Sequence, residues 1–107
     1  ENNLGAARTK IVVSKDRESY FKDYAKKLSE LVNIPVILIG GNRNLDIMED
    51  ILNKDYAQYF SLSRPLTADT DLISKWESGE RKRTKCVSCN QCYNTPGKRC
   101  ILNIRGL

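Results

Sequence analysis

The sequence IPVILIGGNR, at residues 34–43, decides the fold of this chain. Its first six residues form a nearly continuous apolar run, which is typical of a parallel β-strand covered on both faces. Pro35 is tolerated there because the start of a strand need not donate to the ladder. Gly40, Gly41 and Asn42 then form a turn, and a helix is predicted over residues 45–52 with Asn44 as its N-cap.

The flanking sequence repeats this alternation of strand and helix. A helix is predicted over residues 17–32, because apolar side chains recur there at helical spacing. We interpret this stripe as core packing; it consists of Tyr20, Phe21, Tyr24, Leu28 and Leu31. A short apolar run at residues 10–13 is either a strand or an extended lead-in.

A second strand is predicted over residues 59–62, followed by a turn at residues 63–66. A last helix is predicted near residues 71–77, with Asp69 or Thr70 as its cap and Gly79 as its end. Its buried side is expected to hold Leu72, Ile73 and Trp76. Helices and strands that alternate over short connections indicate βα units and an α/β fold.

Two parallel strands are too few to form a closed sheet. Such sheets are normally covered on both faces, and an exposed strand edge pairs readily with another chain. The chain is therefore either the end of a larger α/β domain or a unit that associates to complete its sheet. We favour the first, and expect self-association if the chain is studied alone.

Both predicted strands end in turns that suit an anion. Ligands of parallel α/β proteins lie beyond the carboxyl ends of the strands. Gly40 and Gly41 allow backbone amides to approach an anion closely, and Asn42 adds a donor. After the second strand, Ser63 supplies an amide and a hydroxyl, and Arg64 supplies a positive fork. We interpret these five residues as a phosphate site; an ordinary turn and a surface ion pair are the alternative.

The charge is unevenly distributed. The chain has a formal net charge of +5, and residues 79–107 contain seven Lys or Arg and one Asp or Glu. Residues 79–107 are therefore predicted to be a basic, cysteine-rich tail, separate from residues 1–78. Its densest basic run is interpreted as a solvated linker, with nucleic acid only a minor alternative; the run comprises Arg81, Lys82, Arg83 and Lys85.

The composition excludes several classes of protein. No apolar run is long enough to span a bilayer, so no membrane partner is expected. Histidine is absent, which removes the commonest general base and a common metal ligand. Four clustered cysteines without a secretory signal favour a reducing compartment, and we expect a cytoplasmic location.

Taken in order, these motifs resemble the C-terminal end of the NADH:flavin oxidoreductases of the old yellow enzyme family. The resemblance covers residues 8–92 and includes GGNR at residues 40–43, FSLSRPL at residues 60–66 and CVSCNQC at residues 86–92. It implies an FMN-dependent TIM (β/α)8 barrel, with residues 34–39 as strand 7 and residues 59–62 as strand 8. The FMN phosphate contacts would be Gly40, Gly41, Asn42, Ser63 and Arg64.

The sequence departs from the family pattern in three respects. Ser63 stands where the family usually has glycine, which preserves the amide donor unless a positive φ is needed. The helix-to-strand turn at residues 53–55 has no glycine, so Asn53 or Asp55 must take the left-handed conformation. The family's substrate-binding His/Asn or His/His pair and its proton-donating tyrosine lie on earlier strands and have no counterpart here. Catalytic residues are therefore not expected in this chain, and it should be inactive alone.

The four cysteines have the spacing C-x2-C-x2-C-x7-C, formed by Cys86, Cys89, Cys92 and Cys100. The longer dienoyl-CoA reductases of the family ligate a four-iron cluster from this region, with a spacing one residue longer. An iron–sulfur cluster, a four-cysteine zinc site and free reduced thiols all remain open. A turn at Pro96 and Gly97 is expected to bring Cys100 toward the other three.

The functional hypothesis is the FMN-phosphate end of an NAD(P)H-dependent oxidoreductase that passes hydride through FMN to an activated alkene or another small acceptor. A phosphate-binding barrel enzyme without flavin is the first alternative. A four-cysteine zinc module whose basic flank binds nucleic acid is the second.

Overall fold

The computed structural model describes residues 17–107. Within these residues, helices and strands alternate as predicted, with a short additional helix after the second strand. The elements are α1 (Lys22–Leu31), β1 (Ile37–Ile39), α2 (Leu45–Asn53), β2 (Tyr59–Ser61), α3 (Arg64–Ala68), α4 (Leu72–Glu77) and α5 (Ile101–Ile104). Two 3-10 turns precede α5, at Gln91–Asn94 and Pro96–Lys98. The predicted extended run at residues 10–13 lies outside the described residues.

Helix α1 begins later than the predicted residue 17. Ser19 adopts a left-handed conformation, with a φ of 50°, which a helix does not accommodate. Its backbone N–H donates to the carbonyl of Gly41 at 2.8 Å, and its hydroxyl donates to Asn42 Oδ1 at 2.8 Å. The residues before α1 therefore form a turn that is attached to the end of β1, and this attachment delays the helix.

The two strands are parallel and adjacent. Leu38 pairs with Phe60 at the centre of the register. Strand β1 is shorter than predicted, because Pro35 has no N–H and the N–H of Val36 donates to the Gln58 side chain at 2.7 Å. The carbonyl of Val36 accepts from the N–H of Gln58 and from that of Tyr59, the first residue of β2, so residues 34–36 are an anchored lead-in to the strand.

Only one face of this sheet is covered by the described residues. Leu38 is buried, whereas Ile37 and Tyr59 are 62% and 60% exposed on the sheet. The expectation that the first strand is covered on both faces is therefore wrong within residues 17–107. The aromatic and leucine stripe of α1 is also largely exposed; Phe21, Tyr24, Leu28 and Leu31 all face solvent. Its interpretation as core packing is wrong, since α1 buries Ala25 instead.

Several local signals are confirmed. Asn44 caps α2, and its side chain accepts from the N–H of Asp46 at 3.0 Å. Asp55 takes the left-handed conformation in the turn before β2, with a φ of 60°. Gly79 has a φ of 102° and follows Ser78, the C-cap of α4. Each of these positions depends on the conformational preference of one residue, which is why the sequence identifies them.

Two predictions around α3 and α4 are wrong. Residues 63–66 are not a simple turn, because Arg64 begins α3 with Pro65 in its first turn, where proline is well tolerated. Asp71, not Asp69 or Thr70, is the N-cap of α4. The carboxylate of Asp69 instead accepts from the hydroxyl of Thr84 and from the N–H of Lys85.

The core consists of two apolar clusters on either side of α2. One packs α1 and β1 against α2 and contains Ala25, Val36, Leu38, Ile51 and Ala57. The other packs α4 against α2 and contains Met48, Leu72 and Trp76. Ile73 is exposed, contrary to expectation. The position of α4 therefore depends on leucine and tryptophan one turn apart.

The basic run after α4 is not a solvated linker. Arg81 bonds to Asp46 at 2.8 Å and to Glu49 at 2.7 Å, both on α2. Arg83 pairs with the buried carboxylate of Glu18. The tail therefore packs across the α/β unit, with Arg81 and Arg83 paired to acidic side chains.

Candidate functional site

A cavity of about 170 Å³ opens at the carboxyl ends of β1 and β2. It contains all five predicted phosphate-site residues, so the Gly40–Gly41 turn and Arg64 share one concavity. We call it the strand-end cavity. None of its described lining residues is acidic; they are Tyr20, Phe21, Ile39, Gly40, Gly41, Asn42, Arg43, Ser61, Leu62, Ser63, Arg64 and Pro65.

The glycine turn needs glycine for two reasons. Gly40 and Gly41 have φ values of 107° and 70°, which residues with a Cβ rarely adopt. The Tyr20 ring also lies against both residues, and a Cβ on Gly41 would stand only 2.6 Å from a ring carbon. The turn and the ring therefore form one wall of the cavity.

Asn42 has a structural function that the sequence did not predict. Its side-chain nitrogen donates to the carbonyl of Leu38 at 2.9 Å and to that of Ser61 at 3.2 Å. Its Oδ1 accepts from the hydroxyl of Ser19. The side chain thus joins the ends of both strands to the turn before α1.

Arg43 is a cation buried beneath the turn, with 2% of its surface exposed. One terminal nitrogen donates to the carbonyl of Asn42 at 3.0 Å, and the other donates to Ser88 Oγ. Its Nε has no partner among the described residues. Burial lowers the pKa of Arg43, and the positive charge of Arg64 lowers it further. A buried cation without a carboxylate is costly, so an anion nearby would stabilise it.

Arg64 lies at the start of α3 and lines the strand-end cavity opposite the glycine turn. One of its terminal nitrogens donates to Asn90 Oδ1. The preceding Ser63 has a φ of −122°, so this position does not need the conformational freedom of glycine. Serine in place of glycine therefore keeps the backbone geometry that presents the amide.

Seven of the twelve lining residues were not predicted to belong to the site, among them Tyr20, Phe21 and Arg43. Tyr20 and Phe21 were assigned to core packing, and their rings contact each other edge to face with centroids 4.7 Å apart. Arg43 was noted only as part of the turn. An arginine directly after the glycine pair was the available signal, but its inward direction depends on a contact with Ser88, 45 residues along the chain.

The four cysteines line a second, smaller cavity. The chain turns at Pro96 and Gly97, as predicted, and Cys100 lies beside the same cavity as the other three. We call it the thiol cavity, and Arg64 lines it as well. Burial raises the pKa of Cys92, and nearby Cys86 and Cys89 raise it further while Arg64 lowers it. All four thiols are free, and that of Cys86 is buried.

The donor set of the thiol cavity fits zinc or an iron–sulfur cluster, because both are bound by four thiolates. The positions of the thiols do not fit either group, since no three potential ligands in residues 17–107 are placed to hold a metal ion. Binding would therefore require the thiols to move closer together. Within the same residues, no helix is long and apolar enough to cross a membrane.

The sequence is similar to those of several oxidoreductases. It is 28% identical to a 4,4'-dithiodibutanoate disulfide reductase of Rhodococcus erythropolis, over 79% of this chain and 21% of the relative. It is 31% identical to a bilirubin reductase of Mediterraneibacter gnavus, over 78% of this chain and 14% of the relative. It is 33% identical to an NADH oxidase of Thermoanaerobacter brockii, over 76% of this chain and 12% of the relative.

No protein-family model matches the chain. The chain spans between about an eighth and a fifth of the length of these three relatives. The chain is therefore similar to parts of longer oxidoreductases, one of which is named as an NADH oxidase.

Proposed function

We propose that this chain is the part of an NAD(P)H-dependent flavin oxidoreductase of the old yellow enzyme family that binds the phosphate of FMN. In this proposal β1 and β2 are strands 7 and 8 of a (β/α)8 barrel, and the remaining strands belong to a longer parent protein. The two parallel strands, the uncovered face of their sheet and the greater length of the relatives support it.

One observation carries the phosphate assignment. Arg43 and Arg64 line one cavity together with a left-handed glycine turn, and none of the described lining residues is acidic. Burial is the main cause that lowers the pKa of Arg43, and the like charge of Arg64 also lowers it. A phosphate would stabilise both arginines.

The residues have distinct functions in this proposal. The backbone amides of Gly41 and Ser63 donate to phosphate oxygens, and Arg64 binds the phosphate from the opposite wall. Arg43 contributes positive charge from its buried position. Asn42 keeps the two strand ends at a fixed separation through its side-chain bonds.

FMN would carry out hydride transfer in the parent protein, from NAD(P)H to a small-molecule acceptor. The names of the relatives support this class, since they include a disulfide reductase, a bilirubin reductase and an NADH oxidase. We assign no catalytic residue in this chain. Its contribution is to hold the phosphate and so to fix one end of the flavin.

We further propose that Cys86, Cys89, Cys92 and Cys100 bind an iron–sulfur cluster in the parent protein. Their shared cavity supports a common ligand, which the thiols would bind after moving closer together. Iron, sulfide and zinc analysis of protein purified without oxygen tests this. Near-stoichiometric iron and sulfide are expected. Zinc alone would favour a zinc site over the cluster, and the absence of both iron and zinc would contradict both assignments.

Backbone amide NMR of the 15N-labelled chain tests the phosphate assignment. Addition of FMN should shift the amide signals of Gly41, Ser63 and Arg64, whereas riboflavin, which lacks the phosphate, should not. Arg64→Gln should weaken FMN binding about 10- to 100-fold, since it removes a charged hydrogen bond. Arg105→Gln removes the same charge from an exposed position and serves as the matched control.

Other outcomes favour the alternatives. Equal shifts with FMN and with a simple phosphomonoester, and a parent protein that purifies without flavin absorbance, would favour a barrel enzyme that uses another phosphate. Salt-sensitive binding of DNA or RNA that is lost with a chelator would favour the zinc module. The ion pairs of Arg81 and Arg83 count against that module, because they reduce the free positive charge of the tail.

A further inference from the structure

The loop that carries three of the cysteines also contacts both arginines of the strand-end cavity. This loop, residues 86–92, has two left-handed residues between its cysteines: Ser88, with a φ of 61°, and Asn90, with a φ of 66°. Neither is a glycine, and non-glycine residues pay a conformational cost in this region. The left-handed backbone at Ser88 and Asn90 is consistent with a need to direct these two side chains toward particular partners.

Ser88 is bonded to the buried arginine. Its hydroxyl accepts from a terminal nitrogen of Arg43, and only 1% of its surface is exposed. The backbone of the same segment is held in place as well, since the N–H of Thr84 donates to the carbonyl of Arg43 at 3.1 Å. Thr84, just before the loop, therefore holds the main chain of Arg43, and Ser88 in the loop holds its guanidinium.

Asn90 is bonded to the arginine on the opposite wall. Its Oδ1 accepts from a terminal nitrogen of Arg64, whose side chain lines both the strand-end cavity and the thiol cavity. The amide oxygen is a neutral acceptor. It can orient the guanidinium and leave its positive charge available to an anion, whereas a carboxylate would neutralise that charge.

We propose that Ser88 and Asn90 are positioning residues for the anion bound in the strand-end cavity, which makes the cysteine loop part of that site. This rests on the proposed function, because it assumes that Arg43 and Arg64 serve a phosphate. A free arginine side chain loses rotamer freedom when it binds a ligand, and an arginine already oriented by a neutral acceptor loses less. The two residues therefore increase affinity for the phosphate without contacting it.

The test uses glycine substitutions, since glycine accepts a positive φ without strain and removes only the side-chain acceptor. Asn90→Gly and Ser88→Gly are titrated with FMN and with riboflavin in the full chain. The matched control is Asn94→Gly, which makes the same chemical change at an exposed position on the same segment. The NMR signal of the Arg64 Nε–H group reports the orientation of the guanidinium. Urea unfolding measures the stability of the fold separately.

Asn90→Gly should lower FMN affinity about fivefold, the cost of immobilising one rotamer-rich side chain, and should move the Arg64 Nε–H signal. Asn94→Gly should do neither. If Ser88→Gly does not fold, the half-buried Asn90 decides the question. FMN affinity and an Arg64 signal unchanged by Asn90→Gly would overturn the positioning assignment while the proposed function stands. No phosphate-dependent shift in the unaltered chain would instead overturn the proposed function.

Discussion

Substitution of Gly41 by alanine tests the wall of the strand-end cavity. An alanine there would adopt a φ of 70°, and its Cβ would lie 2.6 and 2.8 Å from two Tyr20 ring carbons and 3.1 Å from Ser19 N. The left-handed conformation costs about 1–2 kcal/mol. Displacement of the ring adds about 1–3 kcal/mol, the usual cost of overpacking. The free energy of unfolding should therefore fall by about 2–5 kcal/mol.

Gly97→Ala is the matched control. Gly97 has the same φ of 70°, but its nearest atom to an added Cβ is Arg99 Cγ at 4.0 Å. It should lose only the conformational part, about 1–2 kcal/mol. Urea unfolding followed by the fluorescence of the single, buried Trp76 measures both values.

A double-mutant cycle isolates the contact itself. Tyr20→Ala in the Gly41→Ala background should recover about 1 kcal/mol or more of the additional loss, because the two substitutions share one contact. If Gly41→Ala were no more destabilising than Gly97→Ala, the Tyr20 ring would not lie against the turn, and the proposed wall of the cavity would be wrong.

Three further predictions follow from the same contacts. Asn42→Ala should lower the free energy of unfolding by about 2–4 kcal/mol, since it removes three hydrogen bonds, two of them buried, and urea unfolding measures this. In the metal-free chain, the raised pKa of Cys92 means that its contribution to stability is lost as pH rises through the pKa of the folded thiol. Unfolding measured above about pH 8.5 should show this decline, and Cys92→Ala should flatten it. The chain should also self-associate through its uncovered sheet face; sedimentation should show a monomer after Ile37→Lys with Tyr59→Lys, and a monomeric unaltered chain would contradict this.

The sequence predicted best those features that depend on single residues. The cap at Asn44, the left-handed Asp55 and the helix end at Gly79 all follow from local backbone preferences. The shared cavity of Gly41 and Arg64 was also predictable, because the carboxyl ends of adjacent parallel strands lie at the same edge of a sheet.

The failures concern partners that are distant along the chain. Periodicity showed that α1 has an apolar stripe but not what covers it, so the stripe was wrongly assigned to the core. The basic run was predicted to be solvated because Arg81 has its acidic partners far away in the sequence. Asp46 and Glu49 precede it by more than 30 residues. The inward direction of Arg43 depends in the same way on Ser88.

The most direct test of the phosphate site is the 31P NMR titration of FMN with pH, with and without the chain. A free phosphomonoester has a second pKa of about 6, so its dianion forms near that pH. Bound beside Arg43 and Arg64, the dianion should be stabilised, so the 31P titration midpoint should shift to lower pH. Arg64→Gln should reverse most of this shift. A midpoint and line width that the chain leaves unchanged would contradict phosphate binding in the strand-end cavity.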